Sequence, residues 1–217
     1  MKRLTFPVAR TARVEIRGNL SLCTEFVWIV LHGYAQSAND FVDVFSDLFG
    51  KARCFLAPEG LSKFYVKGAS GNVGASWMTK QDREDEIQDY LAYLSKVMEY
   101  VHDLSPKAVV FLLGFSQGAA TAARFFMSRN PQDIHALVLW AAVFPPDFKL
   151  PKHSQNAASQ IHLVYGTSDP YMPKLASGEF SEYSPTFWPF DGGHELPPAV
   201  LSRVLQTLEK NETKTPV

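Results

Sequence analysis

Val109-Val110-Phe111-Leu112-Leu113 runs directly into Gly114-Phe115-Ser116-Gln117-Gly118 and then into Ala119-Ala120. The apolar run suits a strand buried on both faces, which only a sheet covered by helices on each side provides. The small residues that follow suit a closely packed helix start. Between strand and helix lies a G-x-S-x-G turn so sharp that only small neighbours fit around the serine. Such a turn lifts the hydroxyl above the sheet and aims the next backbone N–H at the same space. This is the geometry of a nucleophile elbow.

The rest of the chain reads as alternating strands and helices. Residues 12–24 alternate Val14 and Ile16 with Glu15 and Arg17, break at Gly18-Asn19 and continue, which predicts an N-terminal antiparallel hairpin. Phe26–Leu31 is continuously apolar and predicts a central strand. Asn39 or Asp40 is placed to cap a short helix ending near Phe49. Residues 52–57 form the next strand, and 60–81, with four glycines, read as a long loop. Asp82 opens the clearest helix, with Ile87, Tyr90, Leu91, Leu94, Val97, Met98 and Val101 on one stripe. Asp82, Glu84, Asp85 and Glu86 crowd its N-terminus, where the helix dipole favours negative charge. Strands are expected at 134–143, 161–165 and 186–190, and a closing helix at 197–208. This alternation predicts an α/β fold with a mostly parallel central sheet and helices on both faces. No insertion is long enough for a large cap domain.

At 217 residues the chain fits one domain, 1–217, with a substantial core. A formal net charge of −1 gives no electrostatic case for nucleic acid or anionic membranes. No apolar run approaches the length of a membrane span, and the start lacks a signal-peptide h-region. A cytoplasmic location is therefore expected. Cys23 and Cys54 read as two free thiols, although sequence alone leaves a disulfide open. No metal-ligand spacing and no phosphate-cradling glycine loop appears, so no metal and no cofactor is expected.

A serine hydroxyl is a weak nucleophile at neutral pH and needs a base. On an elbow of this kind the partners follow in the order Ser, Asp or Glu, His, each just past the C-terminal end of a strand. Chain order removes His32 and His102. His135 and His162 lie near strand starts or within strands, and His153 has no apolar strand before it. His194 follows 187–190 and the flexible pair Gly192-Gly193, where a base is wanted. Asp169 follows strand 161–165 through Gly166-Thr167-Ser168, with Pro170 shaping the turn. Asp147 is the runner-up acid, and Asp191 comes too close before His194. The candidate triad is Ser116, Asp169 and His194. For the oxyanion, the Gln117 N–H is one donor and the Tyr34 N–H, in the His32-Gly33-Tyr34-Ala35 loop after the central strand, is the other. Each such donor is worth roughly 3 kcal/mol in the transition state. His32 is read as shaping that loop.

Leu31-His32-Gly33, the G-F-S-Q-G pentapeptide, Gly166-Thr167-Ser168-Asp169-Pro170 and Gly193-His194-Glu195 occur in an order that resembles the phospholipase/carboxylesterase group of α/β-hydrolases, which includes acyl-protein thioesterases. The resemblance implies an α/β-hydrolase fold, the same triad and the same two amides. It also implies that Gly74-Ala75-Ser76-Trp77-Met78 is a variant of the loop lining the acyl site, with Trp77-Met78-Thr79 where the family often has Trp-Phe-Asp. The segment between Pro173 and Thr186 is short for the group. Trp77, Met78, Phe115, Phe144, Tyr171 and Leu196 are the candidate lining of a substrate pocket. The expected activity is cleavage of a small-molecule or lipid carboxylic ester through an acyl-enzyme at Ser116. The alternatives are a lysophospholipase or acyl-protein thioesterase acting on long chains, and a non-catalytic binding module on the same fold.

Overall fold

Every residue of Phe26–Leu31 is buried, and the side chains divide strictly by parity. Val27, Ile29 and Leu31 point into one apolar cluster, Phe26, Trp28 and Val30 into another. A strand with two buried faces must sit in the middle of a sheet between helical layers. The computed structural model describes residues 4–50, 52–130, 132–142, 161–171 and 185–212. Among them the strands are β1 (Val14–Gly18), β2 (Phe26–Leu31), β3 (Arg53–Pro58), β4 (Ser62–Tyr65), β5 (Val73–Ser76), β6 (Val109–Phe115), β7 (Ala136–Trp140), β8 (Ile161–Gly166) and β9 (Thr186–Phe190). The helices are α1 (Ala38–Asp43), α2 (Arg83–Leu104), α3 (Gln117–Met127) and α4 (Pro198–Glu212). The main sheet has the order β1-β3-β2-β6-β7-β8-β9, parallel except for β1. Apolar residues of α2 and α3 fill the cluster on one face, and those of α1 and α4 fill the other. No cap domain is evident among the described residues.

Three local expectations are corrected. The N-terminal antiparallel strand exists, but its partner is β3, with Val14 opposite Pro58 and Gly18 opposite Cys54, so there is no 12–24 hairpin. Residues 20–24 turn instead of pairing. The Thr24 hydroxyl donates to Asn19 O at 2.8 Å and accepts the Ser21 N–H at 2.9 Å, so the local polar groups are satisfied without a strand. The cap of α1 is Ser37, whose hydroxyl accepts the Asp40 N–H at 3.1 Å, and Asn39 lies inside the helix. The span 60–81 contains the antiparallel pair β4–β5. Gly74 is required there by close approach: a Cβ would stand 2.2 Å from Ala35 O. The free thiols are as expected. Cys23 is exposed, and Cys54 is buried, which pushes its pKa up to about 11.

β8 carries a titratable group into the core. His162 is 8% exposed, and its Nδ1 accepts the Trp188 indole N–H at 3.3 Å. Burial, with a smaller contribution from His135, lowers its pKa to about 4. The unfolded chain takes up this proton near pH 6.5, whereas the native state refuses it until about pH 4. Stability is therefore lost as pH falls through that window, by about 3 kcal/mol from this group. His162→Gln retains an acceptor for Trp188 and cannot titrate. The drop in urea-unfolding free energy between pH 7 and pH 4 is expected to shrink by about that amount in the variant. An unchanged drop would show that His162 does not set the acid limb.

Candidate active site

β6 ends at Phe115, and α3 begins at Gln117, so Ser116 alone makes the turn. Its backbone takes φ 54° and ψ −115°, a conformation costly for any residue with a side chain. The turn is held by the Ser116 N–H donating to Trp140 O at 2.9 Å on the neighbouring strand. The pentapeptide's outer glycines are fixed by crowding. A Cβ on Gly118 would lie 2.3 Å from Leu31 O, and one on Gly114 would lie 2.3 Å from Gly118 O. No larger side chain lets β2, β6 and α3 approach this closely.

The three residues singled out for the triad come together. His194 Nε2 is 2.9 Å from Ser116 Oγ, and His194 Nδ1 is 2.7 Å from Asp169 Oδ2. The Asp169 side chain is fully buried, and its Oδ1 accepts the Tyr171 N–H at 2.9 Å. An ionised carboxylate only accepts, so the Nδ1 proton of His194 points at Asp169 and Nε2 is left to accept from the serine hydroxyl. The loops after β8 and β9 are laced together by Thr167 N–H to Phe190 O and Ser168 N–H to Gly192 O, both 2.9 Å. The buried Trp140 indole supports the His194 loop from below, donating to Glu195 O at 2.8 Å.

The loop after β2 is equally constrained. The Gly33 N–H donates to Gln36 Oε1 at 2.7 Å, and the loop is bonded to β5 through Ala35 N–H to Ala75 O and Ala75 N–H to Gln36 O. His32 is fully buried. Its Nε2 accepts the Gly60 N–H at 3.0 Å, so the ring proton sits on Nδ1, 2.7 Å from Gly33 O. Burial lowers its pKa and keeps it neutral. It shapes the loop, as expected from its position. Among the described residues, neither the Tyr34 nor the Gln117 backbone N–H donates to a backbone carbonyl.

The candidate pocket residues divide. Phe115 and Tyr171 flank the histidine, each with its ring 5.0 Å from that of His194; Phe115 is buried and Tyr171 exposed. Phe144 and the runner-up acid Asp147 lie outside the described residues, as does most of the Pro173 to Thr186 segment. Trp77 is part of one apolar core, whereas Met78 and Leu196 are half-buried, packed against one core and the other. Trp77 is 2% exposed because its indole N–H reaches inward to His32 O at 2.9 Å, and its ring packs against His32 and Tyr90. Its other side borders a cavity of about 870 Å³ between residues 6–16 and α2 that contains none of Ser116, Asp169 and His194. Met78 sends its sulfur toward the Arg124 guanidinium at 3.6 Å.

Two further groups had little sequence signal. Glu59, 5% exposed, is bound by Arg13 at 2.8 Å and Lys63 at 2.9 Å beside the Gly60–His32 contact. Burial alone would raise its pKa, but the hydrogen bonds and charges of Lys63 and Arg13 outweigh that and lower it. The Gln117 carboxamide donates to Met78 O at 2.8 Å and accepts the Trp77 N–H at 3.1 Å. The glutamine of G-F-S-Q-G was its only clue. Among the described residues there is no cluster of three or more His, Cys, Asp or Glu able to hold a metal ion. No helix among them is long and apolar enough to cross a membrane.

The sequence profile of the phospholipase/carboxylesterase family matches residues 23–212. The chain belongs to the phospholipase/carboxylesterase family. Solved structures similar to this family member include acyl-protein thioesterase 2 of Zea mays, with a TM-score of 0.69 and 17% identity over 93% of this chain and 99% of that one. Esterase PE8 has a TM-score of 0.64 and 19% identity over 93% and 99%. SOBER1 of Arabidopsis thaliana has a TM-score of 0.65 and 18% identity over 88% and 100%. At these identities the likeness is one of fold, and it fits the sheet order described above. No curated protein matches the chain.

Proposed function

We propose that this family member is a serine carboxylic-ester hydrolase working through an acyl-enzyme at Ser116. The observation that carries the reading is the unbroken hydrogen-bonded path from the buried Asp169 through His194 to a strained serine at a strand-to-helix turn. Ser116 Oγ attacks the ester carbonyl carbon while His194 Nε2 takes its proton. Asp169 holds the ring orientation and stabilises the imidazolium. The carbonyl oxygen becomes an oxyanion and receives hydrogen bonds from the Tyr34 and Gln117 amides. The tetrahedral intermediate collapses, the C–O bond to the alcohol breaks, and His194 gives its proton to the departing oxygen. Water, deprotonated by His194, attacks the acyl-serine; collapse releases the acid and returns the proton to Ser116. These steps call for no cofactor. The same reading treats 1–217 as one domain and places it in the cytoplasm.

A second reading, a lysophospholipase or acyl-protein thioesterase, draws on the exposed Tyr65, Val66 and Val73 of the β4–β5 hairpin. That hairpin is bonded to the 33–36 loop, and the Tyr34 ring packs tilted against its Phe64, centroids 5.3 Å apart. An exposed apolar surface on a hairpin tied to that loop suits a long acyl chain. The experiment is fluorophosphonate labelling of the folded protein with peptide mapping, followed by turnover of short-chain esters and long-chain thioesters. A single adduct on Ser116 with ester turnover is expected. Absence of the Ser116 adduct would sink the hydrolase reading and favour a binding module. Faster long-chain thioester turnover would select the second reading.

A further inference from the structure

We propose that the Gln117 side chain and the Trp77 indole form a clasp that sets the distance between the two oxyanion donors. Gln117 and Trp77 are then positioning residues. The inference rests on the hydrolase reading above.

The two amides stand on different loops. The last paired residues of β2 and β6 are Leu31 and Gly114. Tyr34 and Gln117 each lie three residues beyond that pairing, so the sheet itself does not fix their separation. Gly118 packs its backbone against Leu31 O and His32 O and brings the two loops together, and side chains then tie one donor-bearing loop to the other. Gln117, whose backbone N–H is one donor, uses its carboxamide to hold the backbone on both sides of the residue 77–78 peptide, through the Trp77 N–H at 3.1 Å and Met78 O at 2.8 Å. The Ser76 hydroxyl closes this contact, 3.1 Å from Gln117 Nε2 and donating to Met78 O at 3.1 Å. Trp77 then crosses to the other loop, its indole N–H on His32 O at 2.9 Å. From His32 the chain reaches the Tyr34 N–H through Gly33 alone.

Closed through the β2–β6 pairing, the path forms a ring that links the two donors. Trp77 and His32 are buried, so their contact is not exchanged with water. At the buried Trp77–His32 contact, losing one partner leaves an unpaired group that drives local rearrangement, while the half-buried Gln117 contacts fix the loop by their number. Oxyanion donors must sit within about 0.5 Å of the productive position. The glutamine in the pentapeptide and the tryptophan at 77 therefore have one shared task, and the inward-facing indole of Trp77 serves it.

Two near-isosteric variants open the ring at different points. Trp77→Phe keeps a buried aromatic ring and loses the N–H. Gln117→Met keeps the length and loses both amide contacts. The readouts are kcat and KM on a short-chain p-nitrophenyl ester, with active sites counted by fluorophosphonate titration, and the affinity of a trifluoromethyl ketone whose serine adduct carries an oxyanion. Removing one donor outright costs about 10²–10³-fold, so misplacing one is expected to cost about tenfold. Each variant should lower kcat and kcat/KM together by that factor with KM nearly unchanged, the pattern of an interaction made only in the transition state. Ketone affinity should fall by the same factor. The double variant should fall no further than the worse single one, because either break opens the same ring. Unchanged kcat/KM in folded Trp77→Phe overturns the proposal. So does a fall in kcat with unchanged ketone affinity, or two losses that multiply. If Gln117→Met does not fold, Trp77→Phe decides alone. A wild-type protein that neither reacts with the fluorophosphonate nor turns over ester overturns the hydrolase reading and the clasp with it.

Discussion

Asp169→Asn is expected to lower kcat for ester hydrolysis by about 10⁴-fold while leaving the fold intact. The size of the effect follows from what each carboxylate oxygen does. Oδ1 accepts the Tyr171 N–H at 2.9 Å, and Oδ2 faces His194 Nδ1 at 2.7 Å. An asparagine has one oxygen and one NH₂. The Tyr171 amide demands the oxygen, which leaves the NH₂ pointing at His194. The ring must then present a lone pair at Nδ1 and carry its proton on Nε2. In that tautomer Nε2 donates toward Ser116 and cannot take the hydroxyl proton. The negative charge that would stabilise the imidazolium is also lost. Steady-state kinetics on a short-chain ester and the rate of fluorophosphonate labelling should fall together, with thermal unfolding within a few degrees of wild type. A variant within tenfold of wild type would remove the acid role from Asp169 and pass it to another carboxylate, with Asp147 the first candidate.

Glu209→Ala is expected to destabilise the protein by about 3 kcal/mol without touching the chemistry of the folded fraction. Glu209 lies on α4, is 4% exposed, and is bound by Arg53 Nε at 2.8 Å and by the Trp28 indole N–H at 2.9 Å. Truncation leaves the indole N–H of a fully buried tryptophan without an acceptor. It also leaves a guanidinium without its carboxylate. Arg53 keeps a quarter of its side chain exposed, so water recovers part of its solvation, and the loss falls at the lower end for a broken buried pair. Glu209→Gln keeps the indole partner and should lose less. Urea unfolding of the three proteins is the measurement. A loss below about 1 kcal/mol in Glu209→Ala would show that water replaces the pair.

Much of this architecture is legible along the chain. Phe26–Leu31 announces a strand buried on both faces because every residue is apolar, and β2 has those limits. The stripe from Ile87 to Val101 announces α2, and all but Leu91 of the residues on it are buried. Small residues around Ser116 announce a tight turn because sterics permit few others there. Polar pairings are less legible. Gly18-Asn19 looks like a hairpin turn, yet β1 finds its partner about forty residues later in β3. Strand pairing is decided by which edges meet, and that information is not local. The 60–81 span shows only its glycines, and the β4–β5 hairpin depends on its fit against the 33–36 loop.

The division is sharpest at the site. By itself the sequence determined the turn at Ser116, the chain order of Ser116, Asp169 and His194, and the strand end that each follows, because strand periodicity and turn sterics act over a few residues. Only the tertiary structure decided that the carboxylate of Asp169 is shared between His194 and the Tyr171 amide. Only it decided that Trp77 turns inward to His32 and that the side chain of Gln117 holds the loop carrying Trp77. Those contacts join residues tens of positions apart. A hydrogen bond needs its partners within about 3 Å and aligned, a condition set by how the strands stack rather than by any local pattern.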